Sequence, residues 1–344
     1  MSNLQFLDDA TKLAISTFLQ TERNLSKPQK NVTISKKTRG EYIQLAKALM
    51  RKRASENKSI EAVINETKYK NTFYKRVSAM KLYISQIGIR SINILIKQDD
   101  IASSHNIKTD SIDLIELENV INNGFSKEGR MKRKSKRSAL KGLPSDWRER
   151  VCNFNMNSKY RIPMLVLALT GCRPSELEKG IRVNLKKPES LQGFIVGFDI
   201  GGVKLSAEKG QEIRRITYTS DDKNILLSEF LGSVNLFEYS SFDVGVKSAA
   251  NFSKEITRIG GLIWPAHKET VSAYCFRHQF ASDLKKHYCG NDVSLALGHA
   301  SAKTRKTYGS ASQSRGQPPQ LSVGASREIK DTVSNKKNTE SNER

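Results

Sequence analysis

The sequence is poor in acidic residues, in long apolar runs and in cysteine. Against 58 lysines and arginines there are only 35 aspartates and glutamates, which leaves a formal net charge of +23 at pH 7. A positive field of this size attracts polyanions, so nucleic acid is the expected partner. No apolar run approaches the roughly 20 residues that span a bilayer, and the N-terminus has no basic segment followed by an apolar stretch. We therefore expect neither a membrane segment nor a signal peptide.

The few cysteines form no pattern typical of a metal site or of a disulfide framework. They are Cys152, Cys172, Cys275 and Cys289, which are scattered and show no CxxC spacing. Free thiols in a reducing cytoplasm are the expected state. Carboxylates are not clustered either, so the sequence predicts no metal and no cofactor.

The first third of the chain is typical of a helical domain. Residues 1–125 predict a bundle of four or more helices, because apolar residues recur at helical spacing between capping residues. Asn71 is expected to cap a long helix that stops at Gly88. Asp110 or Ser111 is expected to open the last helix of the bundle.

A strongly basic stretch follows, at 126–142, with almost no apolar residues. Its candidate DNA-binding residues are Arg130, Lys132, Arg133, Lys134, Lys136 and Arg137. Such a run is not expected to contribute to a core, so it is either a flexible linker or a strap that contacts phosphates. The two interpretations are compatible, since a basic linker between two DNA-binding domains would lie against the DNA backbone.

The remaining chain predicts a mixed domain over 143–310. A buried helix is expected around Met164–Leu169, and strands at 194–198 and Ile213–Tyr218 flank a turn region rich in glycine and lysine. The polar residues 311–344 are expected to form a disordered tail. The predicted fold class is α+β, mainly α: an N-terminal helical bundle plus a domain of helices with a small antiparallel sheet.

Three blocks in this second domain contain the residue types that attack on a phosphate requires. They are Thr170–Leu177 (TGCRPSEL), Tyr274–Ser282 (YCFRHQFAS) and Leu297–Gly309 (LGHASAKTRKTYG). The proline of the first block favours a helix start, where free N–H groups and an arginine together suit a phosphate. A phenol has a pKa of about 10 in solution, so it attacks well only beside positive charge or a proton acceptor. Two guanidiniums would supply that charge with bidentate geometry.

In this order the three blocks resemble the catalytic boxes of the tyrosine recombinases, the phage-integrase family. The resemblance covers roughly 140–310, and the N-terminal helices look like the family's core-binding domain. It implies that Tyr308 attacks the scissile phosphate and forms a 3′-phosphotyrosyl link without metal or high-energy cofactor. Arg173 and Arg277 would hold the non-bridging oxygens, and His299 would bond a phosphate oxygen and help to place the nucleophile.

The resemblance also implies a lysine on a β-hairpin that protonates the leaving oxygen. Lys209, just before the second predicted strand, is the better match, and Lys204 is the alternative. His278 follows the second arginine directly and is interpreted as structural. One position departs from the family: its second box usually begins with histidine, where this chain has Tyr274. A tyrosine can donate a hydrogen bond to phosphate but is a poor proton acceptor near neutral pH, so the acid–base role of this position is in doubt.

The expected function is therefore that of a site-specific DNA recombinase or integrase, acting on double-stranded DNA as a homotetramer, with or without accessory DNA-bending proteins or partner recombinases. Two alternatives remain: a type IB topoisomerase-like enzyme, and a catalytically weakened DNA-binding protein of the same fold. Phage integration, mobile-element transfer and chromosome maintenance share this chemistry and stay open as biological programmes. The expected location is the cytoplasm of a bacterium or of a phage-infected cell, at the nucleoid.

Overall fold

A computed structural model describes most of the chain, in two compact units, Met1–Arg133 and Lys134–Arg344. The described residues are 7–25, 34–98, 101–126, 128–131, 136–188, 193–203, 205, 210–220, 224–234, 240–305, 307–315 and 321–330.

All regular secondary structure in the described part of the first unit is helical. Its elements are α1 (Asp9–Leu25), α2 (Lys36–Glu56), α3 (Ile60–Asn65), α4 (Lys70–Gln98) and α5 (Ile101–Asn123). Each helix contributes apolar side chains to one core. The side chains of Ser35 and Ser59 accept hydrogen bonds from the first turns of α2 and α3, which fixes where these helices begin.

Three helix boundaries that the sequence predicted are wrong. Helix α4 begins at Lys70, so Asn71 lies inside its first turn and does not cap it. Helix α4 runs through Gly88 to Gln98. This glycine makes room for a neighbouring helix, because a Cβ at Gly88 would lie 2.2 Å from the ring of Phe18. Helix α5 already begins at Ile101, so Asp110 and Ser111 lie within it. Asp110 is half-buried there, and Ser111 is buried.

The second unit combines short helices with one antiparallel sheet. Its helices are α6 (Trp147–Asn153), α7 (Arg161–Thr170), α8 (Pro174–Lys179), α9 (Ile225–Leu231), α10 (Ala249–Ile263), α11 (Ala273–His287), α12 (Gly290–Ala296) and α13 (Ala302–Arg305). Its strands are β1 (Ile181–Lys186), β2 (Ile195–Gly201), β3 (Ile213–Thr219), β4 (Ser241–Val244) and β5 (Leu321–Ala325), in the order β4-β1-β2-β3-β5. All four pairings are antiparallel.

The core of this unit forms around α7 and α11. From Pro163 to Thr170 every residue of α7 is buried, which confirms the expectation of a buried helix there. The inward side chains of β1, β2 and β3 complete the same core. The predicted fold class, mainly helical with a small antiparallel sheet, is confirmed.

The basic stretch at 126–142 is not a free linker over its whole length. The backbone N–H of Met131 donates to the carbonyl of Lys68 at 2.8 Å, which ties 128–131 to the first unit. At the other end, a 3₁₀ helix at Lys136–Leu140 buries Ala139 and Leu140 in the core of the second unit. The expectation that the stretch adds nothing to a core is therefore wrong for 136–142, because it overlooked these apolar residues.

The expectation of a disordered tail at 311–344 is also wrong for the part that is described. A short 3₁₀ turn at Ala311–Gln313 is followed by β5, which pairs with β3 along its edge. The side chains of Leu321, Val323 and Ala325 alternate with more exposed residues, as expected of a strand on a sheet. This period of two is weak in so polar a segment, and composition alone therefore misread it.

Candidate active site

The first arginine of the site lies where α7 gives way to α8. Gly171 ends α7, and Arg173 is the residue before Pro174, which opens α8. Glu176, one turn into the helix, accepts a hydrogen bond from the backbone N–H of Arg173 at 2.7 Å and one from its guanidinium at 2.6 Å. Arg173 is therefore fixed by its own helix start, with its side chain largely buried.

The Glu176 carboxylate is shared between two arginines. Arg214, on β3, donates to both of its oxygens, at 2.8 and 3.3 Å, and to the carbonyl of Ala296 at 2.8 Å. Burial alone would raise the pKa of Glu176. The positive charges of Arg214, Arg277 and Arg173, of which that of Arg214 is the strongest, outweigh burial and lower this pKa to about 2. The carboxylate is thus ionised at neutral pH and holds two guanidiniums in fixed positions.

The second arginine, Arg277, lies on α11 and is completely buried. Its guanidinium donates to the carbonyl of Gly171 at 2.7 Å and to the carbonyl of Leu297 at 2.5 Å, so it joins the ends of α7 and α12. Burial, and then the charge of Arg173, lower the pKa of Arg277 to about 10, which still leaves it a cation at neutral pH.

Tyr308 lies against both arginines. Its ring centroid is 4.7 Å from the guanidinium carbon of Arg277, and the positive charges of Arg277 and Arg173 both act on its hydroxyl. Burial raises the pKa of Tyr308, but the two positive charges outweigh burial, so the pKa is lowered from its usual value. Three residues from distant blocks of the sequence therefore lie in one cluster.

His299 completes the cluster. Its ring lies 5.2 Å from that of Tyr308, and its Nε2 lies 3.3 Å from the Arg277 guanidinium. Burial, followed by Arg277 and Arg173, lowers the pKa of His299 to about 2, so the imidazole is neutral. Nδ1 is buried and has no partner among the described residues. The backbone carbonyl of His299 accepts from the buried Gln211 side chain at 2.9 Å.

The remaining predicted site residues lie at the margin of this cluster or outside the described residues. Tyr274, at the first turn of α11, is 39% exposed and close enough to Arg173 to help raise the pKa of that arginine. Lys209 and Lys204 lie outside the described residues. Gln211, which follows Lys209 by two residues, places that end of the β2–β3 connection next to His299.

The basic residues proposed for DNA contact are described only in part. Lys132, Arg133 and Lys134 lie outside the described residues, whereas Arg130, Lys136 and Arg137 are described and exposed. The guanidinium of Arg130 lies 5.5 Å from the ring of Phe125.

Arg214 was missed by the sequence reasoning, although a signal existed. In β3 the side chains of Ile216 and Tyr218 face the core, and Arg214 has the same parity. An arginine in the buried register of a strand requires an acceptor, which here is Glu176.

No group of three or more histidine, cysteine or acidic side chains suited to a metal ion occurs among the described residues. In the same part of the chain, no helix is both long and apolar enough to cross a membrane. The described cysteines are free thiols, of which three are buried.

No protein-family model matches the chain, and no curated protein matches it significantly. Among the solved structures similar to it are two that it covers over most of their length. The XerH site-specific recombinase, solved in a pre-cleavage complex with its difH substrate, has 16% identity and a TM-score of 0.37, covering 89% of this chain and 95% of that one. The XerA recombinase has 18% identity and a TM-score of 0.33, covering 87% and 93%.

Proposed function

We propose that this protein breaks and rejoins DNA strands, with Tyr308 as the nucleophile. The observation that supports the proposal is the cluster in which Arg277 and His299 lie against the Tyr308 ring, with the charge of Arg173 close enough to act on its hydroxyl. A phosphodiester placed beside the phenol would have two guanidiniums for its non-bridging oxygens, and the planar fork of a guanidinium suits bidentate binding of phosphate. The net charge of +23 supports DNA as the substrate.

In the proposed reaction the Tyr308 oxygen attacks the phosphorus and loses its proton to water. The bond to the 5′ oxygen of the next nucleotide breaks, and that oxygen leaves as a hydroxyl after it gains a proton. The strand is then held as a 3′-phosphotyrosyl ester, and attack by a 5′-hydroxyl reverses both steps. Because one phosphoester replaces another, the bond energy is conserved. Lys209, or else Lys204, is the predicted donor of the proton to the leaving oxygen.

The two arginines also suit the activation of the nucleophile. They lower the pKa of Tyr308, so a larger fraction of the phenol is ionised at a given pH. His299 is a weak candidate for a proton acceptor, since its Nε2 faces the Arg277 guanidinium. In the proposed division of roles, positive charge activates Tyr308 and His299 helps to place the phosphate.

A covalent adduct is the direct test. Duplexes tiled across the DNA that flanks the gene, each with a nick just downstream of a trial cleavage point, let the short 5′-hydroxyl fragment escape and trap the ester. We expect a labelled protein–DNA adduct with the natural chain and none with Tyr308→Phe, which retains DNA binding. An adduct formed by Tyr308→Phe, or no adduct on DNA that the protein binds specifically, contradicts the proposal.

Site-specific exchange between two duplexes, by a homotetramer, is the finer form of the proposal. A type IB topoisomerase-like enzyme would instead relax supercoiled plasmids that lack any target site. We expect no such relaxation, and strand exchange only between matched sites. A protein that binds its site but forms no adduct would be the catalytically weakened alternative.

The basic stretch at 126–142 is proposed to contact the DNA backbone. Neutralising Lys132, Arg133, Lys134 and Lys136 should weaken binding to all sequences alike and reduce the salt dependence of the binding constant, by about one unit of slope for each lost phosphate contact. Binding isotherms at several salt concentrations, on target and unrelated duplexes, measure both effects. Loss of affinity for only one sequence contradicts this role.

A further inference from the structure

One face of α11 holds the backbone that carries Tyr308. His278, Ser282 and Lys285 follow one another at helical spacing, so they share a face of α11. Arg277, which contacts the phenol, is on the same helix. The helix therefore contacts both the nucleophile's ring and its main chain.

Lys285 contacts three main-chain carbonyls in the segment that carries Tyr308. Its ammonium donates to the carbonyls of Arg305, at 3.0 Å, and Gly309, at 2.7 Å, and also to that of Tyr308. An ammonium has three N–H donors, so all of them are used on this short piece of chain. Burial lowers the pKa of Lys285, and the nearby charge of Arg305 lowers it further.

The other two residues hold the main-chain N–H groups that follow. Nδ1 of His278 accepts from the N–H of Gly309 at 3.2 Å, and Oγ of Ser282 accepts from that of Ser310 at 3.1 Å. Ser282 in turn donates to the carbonyl of His278 at 2.9 Å. Burial, followed by Arg277, lowers the pKa of His278 to about 4, so its ring is neutral and Nδ1 can accept.

The approach is so close that only glycine fits at the contact. Gly309 has φ +31, and a Cβ there would lie 2.4 Å from both the carbonyl oxygen of His278 and Oγ of Ser282. Little regular structure holds the same segment, because α13 ends at Arg305. Tyr308 follows in a turn whose backbone bonds run from the N–H of Thr307 to the carbonyl of Thr304 and from the N–H of Tyr308 to that of Arg305. The side chains of α11 thus supply most of the anchoring.

We propose that Lys285, with His278 and Ser282, is a positioning group that sets the Tyr308 oxygen against Arg277 of the same chain. This inference rests on the proposed function of Tyr308. None of the three side chains has to touch the DNA, because they act through the main chain of Arg305 and of residues 308–310. His278 thereby has a definite task, beyond the structural role expected from the sequence.

The test removes the ammonium and keeps the stem, with Lys285→Met. Small misplacement of a nucleophile lowers the rate strongly, so we expect single-turnover cleavage of the nicked duplex to fall about 10- to 100-fold. The dissociation constant for DNA should stay within about 2-fold, since no DNA contact is lost. Lys286→Met is the matched control: it removes the same charge from the next, exposed position of α11 and should cleave like the natural chain.

A second measurement does not depend on catalysis. Amide hydrogen exchange of the full chain should accelerate at 305–310 in Lys285→Met and Ser282→Ala, while exchange in α7 stays unchanged. Unchanged exchange at 305–310, or natural cleavage rates in Lys285→Met, overturns the inference. Equal losses of DNA binding and cleavage would also overturn it, because they indicate a general structural role. If the natural chain forms no adduct, the proposed function fails, whereas the exchange data still decide whether Lys285 anchors the segment.

Discussion

The candidate site has a phosphate side, formed by Arg173 and Arg277, and a nucleophile side, formed by Tyr308. The two sides differ in how their side chains are fixed. Arg173 is held by the buried carboxylate of Glu176, and Arg277 by carbonyls at the ends of two helices. Tyr308, by contrast, follows a helix of four residues and is anchored through its main chain. A buried network of charges has few alternative arrangements that leave every group satisfied. A short segment held by side chains can be displaced with less disruption, so we infer that the charges are preset and the nucleophile is the adjustable part.

The largest effect is expected from removing a charge on the phosphate side. Arg277→Ala should lower the single-turnover cleavage rate by about 10²–10³-fold, because a preorganised donor to the transition state is lost. DNA affinity should change far less, since the overall charge stays strongly positive. Cleavage assays at saturating protein measure the first effect and binding isotherms the second. A cleavage rate within about 3-fold of that of the natural chain would contradict the role of Arg277. It would also contradict the contrast drawn between the preset charges and the adjustable nucleophile.

The network itself can be broken at its shared carboxylate. Glu176→Gln leaves Arg214 buried without a counter-charge, and a broken buried pair costs about 3–5 kcal/mol in the free energy of unfolding. Urea unfolding measures this loss. Asp199→Asn is the control, because its partner Arg215 is mostly exposed and such pairs contribute no more than about 1 kcal/mol. Equal losses of unfolding free energy in the two variants would mean that the buried network stabilises the fold no more than an exposed ion pair does.

The response to pH separates activation by charge from activation by a base. Since Arg277 and Arg173 lower the pKa of Tyr308, the cleavage rate should rise with pH and level off below pH 10, the phenol's usual value. His299 should add no step near pH 6.5, because its folded pKa is about 2. Arg173→Ala should move the plateau to higher pH. A step near neutral pH that disappears in His299→Gln would instead assign the base to the histidine.

Local features of this site could be predicted from the sequence, whereas distant ones could not. Arg173, Pro174 and Glu176 lie within one turn, so their helix start was predictable from neighbouring residues. Arg214 meets a carboxylate 38 positions away, and Lys285 meets carbonyls about 20 positions away. No periodicity indicates such a partner, because the long-range fold alone decides it.

The errors in the fold have a similar origin. Gly88 was interpreted as a helix end because glycine is a poor helix former, yet close packing against Phe18 decides its identity. In β5 the apolar residues alternate correctly, but a strand of such polarity is stable only because β3 offers an unpaired edge. Both cases depend on a neighbour that is remote in sequence. The overall fold class was nevertheless predictable, because it depends on the pattern of the whole chain and not on single contacts of this kind.

The smallest effect is expected at Tyr274, which tests where the network ends. Its side chain is 39% exposed and lies near Arg173, whose position Glu176 already fixes. Tyr274→Phe removes one possible hydrogen bond to phosphate and no charge, so single-turnover cleavage should fall by less than about 10-fold, given a net contribution of about 1 kcal/mol for one such bond. Arg277→Ala, measured in parallel, should be much slower. The opposite order would move proton transfer to Tyr274 and would make this exposed phenol, rather than the buried arginines, the main catalytic group on the phosphate side.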